Sequence, residues 1–236
     1  METIASRLAG ILEQVAGAAK KSGRQAGDVE LIAVSKTHPA ESIREAWDAG
    51  QPVFGESRVQ EALAKIPALP QAVRWQFIGH LQSNKIRKAL PHFELFHGVD
   101  SADLAMAMDR IAGELGLRPR ILLEVNVAGE ATKFGFDPAK LRASFDELLG
   151  LRHVDVEGLM AIPPAVEKIE DARRYFVTLR ELRDQLAKDS GAPLSTLSMG
   201  MSDDFPVAIE EGSTMVRVGT AIFGRRPKPL EPDRLD

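Results

Sequence analysis

Hydrophobic residues along the chain follow two alternating rhythms. Short apolar runs rich in β-branched residues occur at 31–36 (LIAVSK), 52–57 (PVFGES), 75–80 (WQFIGH) and 95–100 (LFHGVD). Four more follow at 121–127 (ILLEVNV), 156–162 (VEGLMAI), 196–200 (TLSMG) and 215–224 (MVRVGTAIFG). Each has the length of a buried strand. Between most of them, apolar positions return at helical spacing, as over 41–49 and 102–115. The clearest series is Ile169, Ala172, Phe176, Leu179, Leu182 and Leu186, with charges on the opposite face. One more helix is predicted at the start. There Ile4, Leu8, Ile11, Leu12 and Val15 recur at helical spacing before Ser22 and Gly23 supply a stop.

Strands that alternate with helices signal βα units around a parallel sheet. Eight such units in 236 residues predict an α/β fold, a single closed (β/α)8 TIM barrel, because ~250 residues is typical of that architecture. A doubly wound open sheet is the alternative. The last strand run leads only into a charged, proline-rich tail, so the eighth unit lacks its outer helix. The N-terminal helix is expected to cover that seam, since the first and last strands are neighbours in a closed barrel. The reading is one barrel over 1–225 and a loosely ordered tail over 226–236, with no linker and no second domain.

Composition narrows the function. The chain is 44% hydrophobic and 27% charged, ordinary for a globular protein that buries a sizeable core. A net charge of −4 gives no footprint for nucleic acid or for anionic membranes. The absence of cysteine removes disulfides, thiolate zinc sites and a cysteine nucleophile, and fits a reducing compartment. The N-terminus lacks a signal-type apolar region, and no stretch is long and apolar enough to span a bilayer. A cytoplasmic protein is expected. The five histidines show no metal-ligand spacing, and HFELFH (92–97) puts its two on opposite faces of a strand, so no metal is expected.

Active sites of such barrels form at the C-terminal ends of the strands. The first run ends on Lys36, the second on Gly55-Glu56-Ser57, the third on Gly79-His80, the fifth at Asn126 and the sixth near Met160. The seventh runs through Ser198, Met199, Gly200, Met201 and Ser202, and the eighth carries Arg217 before Gly219 and Thr220. The two-residue strand period puts Ile32, Val34 and Lys36 on one face, and Met215, Arg217 and Gly219 on one face. If both sets face inward, two cations sit side by side at an apolar mouth. Desolvation and mutual repulsion would lower the lysine pKa and leave a nucleophilic amine. The segment SMGMSDDFPVAIEEG (198–212) reads as a short helix after the seventh strand, entered through Ser202 and its aspartates, with Pro206 in its first turn and Gly212 at its stop. Helix-start amides, the Gly219 N–H and the Thr220 hydroxyl would form a phosphate seat. No Walker A or G-x-G-x-x-G motif is present. An imine-forming lysine, a neighbouring arginine and a phosphate seat point to pyridoxal 5′-phosphate, PLP.

Those residues sit in AVSKTHP, FGESRVQE, WQFIGHLQSNK, GLMAIPP and LSMGMSDDFPVAIEEGSTMVRVGTAIFG. Together these motifs resemble the PLP homeostasis proteins (the YggS/PROSC-like family), similar to the N-terminal barrel of alanine racemase, of PLP fold type III. The resemblance spans the chain from the first helix to Gly224. It implies PLP bound covalently as an aldimine on Lys36 and Arg217 opposite the pyridine nitrogen. It further implies Ser198, Ser202, Gly219 and Thr220 around the phosphate. Ser57, His80, Met160 and Met199 are further candidates near the cofactor. The implied role is binding or carrying PLP to keep vitamin B6 and amino-acid pools in balance, with apo-enzymes as candidate recipients; a monomer is expected separately, from the lack of the second domain of alanine racemase. Two departures stand out: many relatives read FGEN and an aromatic where this chain has Ser57 and Arg58, and Thr132 replaces a serine.

Blander readings accompany each residue. Lys36 could end in solvent, Arg217 could pair with Glu56 or Asp203, and the hydroxyls could cap backbone groups. His80 could be an ordinary loop histidine. Lys85 and Lys133 read as solvated charges, and Met160, Met199 and Met201 as packing near the rim. A PLP-dependent racemase is the second functional reading. It needs acid–base groups on both faces of the substrate carbon, yet the only tyrosine, Tyr175, lies in the long helix away from any strand end. A lysine-dependent aldolase that binds a sugar phosphate is the third.

Overall fold

The structure, a computed structural model, describes residues 2–130 and 132–224. Eight parallel strands close into a barrel in chain order. They are β1 (Glu30–Val34), β2 (Val53–Glu56), β3 (Arg74–Phe77), β4 (Leu95–Val99), β5 (Arg120–Glu124), β6 (Asp155–Met160), β7 (Thr196–Ser198) and β8 (Met215–Val218). Around them lie α1 (Ile4–Lys21), α2 (Ala40–Asp48), α3 (Val59–Lys65), α4 (Ile86–Ala89), α5 (Ala102–Leu115), α6 (Pro138–Leu149), α7 (Arg173–Ser190), α8 (Phe205–Glu210) and α9 (Thr220–Phe223). Each predicted strand is present, and side chains cap the starts of α1, α5 and α6. Thr3 Oγ1 accepts from Ser6 N–H at the start of α1, and Asp137 Oδ1 accepts from the Ala139 and Lys140 N–H groups ahead of α6. The expected tail over 226–236 lies outside the described residues.

The main core lies between barrel and helices. Leu31, Ala33, Phe54, Trp75, Phe96, Ile121, Leu123 and Val216 face outward into it. The barrel interior holds a small apolar layer of Leu95, Leu122 and Met160, with Met215 packed against it. The interior also buries polar side chains, Gln76, His97, Ser198 and Arg217. Gly158 is required where β6 meets β7, because a Cβ there would stand 1.9 Å from the Thr196 carbonyl oxygen.

Three details depart from expectation. The run 215–224 stops being a strand at Val218. Gly219 leaves the extended region, and Thr220 and Gly219 carbonyls accept from Gly224 and Phe223 N–H groups to form α9. A short apolar run reads equally as strand or buried helix, and Ile222 and Phe223 are buried through a helical turn. The eighth unit therefore has a one-turn helix of its own, and α1 covers the rest of the seam by packing on α8, α9 and α2. Leu12 is not part of the buried stripe of α1 and is 46% exposed. His92 lies in a turn before β4, so the two histidines of HFELFH do not share a strand.

Candidate functional site

Lys36 lies two residues beyond the end of β1, in the turn that leads to α2. Arg217 pairs in register with Ile32, so its backbone sits lower in the barrel than that of Lys36. The two residues are therefore offset in depth along the seam between β1 and β8, and both side chains line one cavity of about 160 Å³ at the C-terminal mouth. Ser202, Gly219 and Thr220 line that cavity as well, and Val34, Ile78 and Ile162 give it apolar walls. Gly219 N–H donates to Ser202 Oγ at 3.3 Å. A Cβ at Gly219 would press within 3.2 Å of the Val34 carbonyl oxygen, so glycine keeps β8 and β1 close at the rim. The His38 ring stacks on Phe223, centroids 5.0 Å apart, and joins the lysine-bearing turn to α9.

Arg217 is held from below. Its Nη1 donates to the Ser198 carbonyl oxygen (2.8 Å) and to Ser198 Oγ (2.5 Å), and Nη2 donates to the Ala161 carbonyl oxygen (3.0 Å). Burial lowers the guanidinium pKa to about 10, against the pull of Glu124 and Asp204 in the other direction. Neither Glu56 nor Asp203, the partners conceivable from sequence, is paired with it: Glu56 pairs with Lys65, and Asp203 is exposed.

Ser198 and His97 extend this hold across the barrel. His97 is fully buried, and burial first, then Arg217 and Arg120, push its pKa well below the ordinary value. The ring is thus neutral. Arginine can only donate, so Ser198 Oγ accepts from it and turns its own hydrogen to His97 Nδ1 at 2.8 Å. His97 Nε2 then carries the proton and donates to Gln76 Oε1 at 2.8 Å. The Gln76 amide donates to Glu30 at 2.9 Å and to Glu94 at 3.1 Å. The chain thus runs from mouth to base through hydrogen bonds of defined direction.

The remaining sequence candidates fall elsewhere. Ser198 is completely buried beneath Arg217 and does not line the cavity. Met160 belongs to the interior apolar layer and Met199 to the main core. Ser57 and His80 line a neighbouring cleft of about 310 Å³ with Arg58 and Lys85. His80 Nδ1–H donates to Asp100 Oδ2 (2.7 Å), and the ring stacks on Phe134, centroids 4.1 Å apart. Lys133 lines a larger, polar cleft of about 480 Å³ that contains neither Lys36 nor Arg217. Tyr175 lies on α7 in the outer layer, where its hydroxyl accepts from Arg174. Among the described residues, no helix is long and apolar enough to cross a membrane, and no group of three or more His, Asp or Glu could hold a metal ion.

Sequence reasoning missed His97, Glu124 and Lys65, and offered Glu56 only as a partner for Arg217, whereas it pairs with Lys65. Glu124 ends β5, and burial first, then Asp100, raise its pKa to about 7 against Arg217 and His80. A signal existed: Gln76, His97 and Glu124 each interrupt an apolar strand run at the parity that faces the barrel interior.

This closed parallel barrel, with a lysine and an arginine at one mouth, is of the alanine racemase type: the family model "Alanine racemase, N-terminal domain" matches residues 11–227. The pyridoxal phosphate homeostasis protein of Aquifex aeolicus is 46% identical over 221 residues, 93% of this chain and 97% of that protein. The one from Pseudomonas aeruginosa is 43% identical over 228 residues, 96% of this chain and 97% of that protein. The chain belongs to the pyridoxal phosphate homeostasis protein family. PipY of Synechococcus elongatus, solved with PLP bound, superposes with a TM-score of 0.83 at 45% identity, over 94% of this chain and all of that one. Alanine racemase of Clostridium difficile shares the fold at 16% identity, with a TM-score of 0.71, over 92% of this chain and 60% of that one.

Proposed function

We propose that this protein binds PLP as a Schiff base on Lys36. In this reading it holds and releases the cofactor for vitamin B6 and amino-acid homeostasis, as a carrier to apo-enzymes. One observation carries the reading: Lys36, Arg217, Ser202, Gly219 and Thr220 border a single small cavity. The donor set fits the group. PLP supplies an aldehyde that an amine captures reversibly, a pyridine nitrogen and a dianionic phosphate. Lys36 provides the amine. The Ser202 and Thr220 hydroxyls and the Gly219 N–H provide uncharged donors for the phosphate. Arg217 would face the ring nitrogen, where a guanidinium would disfavour its protonation and weaken the ring as an electron sink. Ser198 serves by holding Arg217, in place of the phosphate contact read from sequence. Ser57 and His80 stay outside this shell, and Met160 and Met199 pack beneath it.

PipY, 45% identical, is described with PLP bound, which supports the assignment. A racemase is the second reading, and it needs a second acid–base group on the opposite face of the substrate carbon. The other described cavity residues include no carboxylate, histidine or tyrosine that could work the opposite face. Absorbance and labelling test both readings. Added PLP should give a visible imine band, and borohydride reduction with peptide mapping should find the pyridoxyl group on Lys36. Lys36→Ala should lose the band and keep the far-UV spectrum. A pyridoxyl group mainly on Lys85 or Lys133 would sink the assignment. Steady D-alanine formation from L-alanine would replace the carrier with a racemase.

A further inference from the structure

The turn that carries Lys36 is held in a conformation its own residues disfavour. Thr37 has φ +68°, the only non-glycine among the described residues at positive φ. A β-branched residue there is strained and persists only when its surroundings overdetermine it.

Those surroundings converge on one ammonium. Lys65, the last residue of α3, is 11% exposed at its side chain. Its Nζ donates to Glu61 Oε1 (2.6 Å), Glu56 Oε1 (2.9 Å) and the Ser35 carbonyl oxygen (3.1 Å). Three acceptors use all three of its donors. The same acceptors grip both flanks of Lys36. Glu61 Oε1 accepts from Thr37 N–H at 2.5 Å, and Ser35 Oγ donates to Glu56 Oε1 at 2.8 Å. The Ser35 carbonyl also accepts from His38 N–H at 3.0 Å. Glu56 is fully buried, and its Oε2 has no hydrogen-bond partner among the described residues. Without Lys65 this buried carboxylate would keep only a serine donor, so it would take up a proton and hold Ser35 through a weaker, uncharged hydrogen bond.

We propose that Lys65 is a positioning residue for Lys36: through Glu56, Glu61 and the Ser35 carbonyl it sets the turn over 35–37 from which the Lys36 amine reaches the cavity. This rests on the reading of Lys36 as the PLP-holding amine. A simple structural pair between α3 and β2 would leave the reactivity of Lys36 alone, whereas a positioning role would not.

The test compares wild type, Lys65→Met, Lys65→Arg and Glu61→Gln, with Lys21→Met as an exposed-lysine control. Stopped-flow growth of the visible band after PLP addition gives the capture rate, and far-UV dichroism checks the barrel. Amide exchange at 35–38 in the PLP-free protein reports the turn itself. Lys65→Met should capture PLP at least about tenfold more slowly, because a displaced reacting group loses rate steeply. It should also exchange the Thr37 amide faster. Glu61→Gln should shift both in the same direction, and Lys65→Arg should restore part of the loss. If Lys65→Met does not fold, Glu61→Gln decides. Wild-type capture rates and exchange in the folded variants would overturn the proposal. A wild type whose PLP does not reside on Lys36 would instead overturn the reading beneath it.

Discussion

Glu124 is a carboxyl group that the fold keeps protonated to unusually high pH. It is 9% exposed, and burial, then Asp100, hold its pKa near 7 in the folded protein against 4.5 for an ordinary glutamate. The folded state therefore binds the proton more tightly than the unfolded chain. The resulting stability is complete below about pH 4.5 and is lost as pH rises to about 7, by up to ~3 kcal/mol. Glu124→Gln should remove that slope. In urea titrations from pH 4.5 to 8, the variant should match wild type in acid and become progressively more stable than it toward pH 8. Parallel curves across the range would refute the assignment. The phosphate end gives a second residue-scale expectation. Ser202→Ala and Thr220→Val should each weaken PLP by about 1.5–3 kcal/mol, the worth of a hydrogen bond to a charged group. Affinity for pyridoxal, which lacks the phosphate, should be unchanged. Equal losses for both ligands would mean that the two hydroxyls act on the fold and not on the phosphate. Lys36 and Arg217 were legible because each is a cation at or next to the end of an apolar run. Lys65 was not legible, because its role depends on three acceptors from separate parts of the chain that only the closed barrel assembles.

At the scale of elements, the apolar runs marked all eight strands, since strands buried on both faces carry near-continuous hydrophobic sequence. Their ends were less legible. β1 stops at Val34 and β8 at Val218, while the apolar runs continue into turns and into α9. Local pattern does not record where barrel pairing ceases. The N-terminal helix was readable both as a helix and as a cover for the seam. Leu8 on its buried face is 1% exposed, and the neighbouring Arg7 Nε donates to the Ile222 carbonyl oxygen of α9 at 2.6 Å. Leu8→Ala should cost about 2–5 kcal/mol, as large-to-small changes at buried leucines do. Chemical denaturation followed by far-UV dichroism measures it. A loss well below 1 kcal/mol would mean that α1 is only loosely docked.

Across the whole molecule, chain order and space agree everywhere but at one place. Each strand lies beside its sequence neighbours, so most pairings are local, and eight βα units in a chain of this length favoured the closed barrel over an open sheet. The polar interior was not legible as a whole: Gln76 and His97 stand on successive strands, but Ser198 lies 101 residues beyond His97, and nothing local says that the three meet. The exception to locality is the seam, where β1 pairs with β8 and α1 rests on α8 and α9. On the ribosome, where the N-terminus emerges first, that arrangement sets a timetable. The apolar stripe of α1 and the open edge of β1 are made early and must wait for the last fifth of the chain before they are covered. During that interval the nascent protein presents a bare sheet edge and a greasy helix face, the features that recruit chaperones or prompt aggregation. Ribosome stalling before residue 200 should thus leave a sticky, unclosed intermediate, and release of the last strand and helix should complete closure and cofactor competence together.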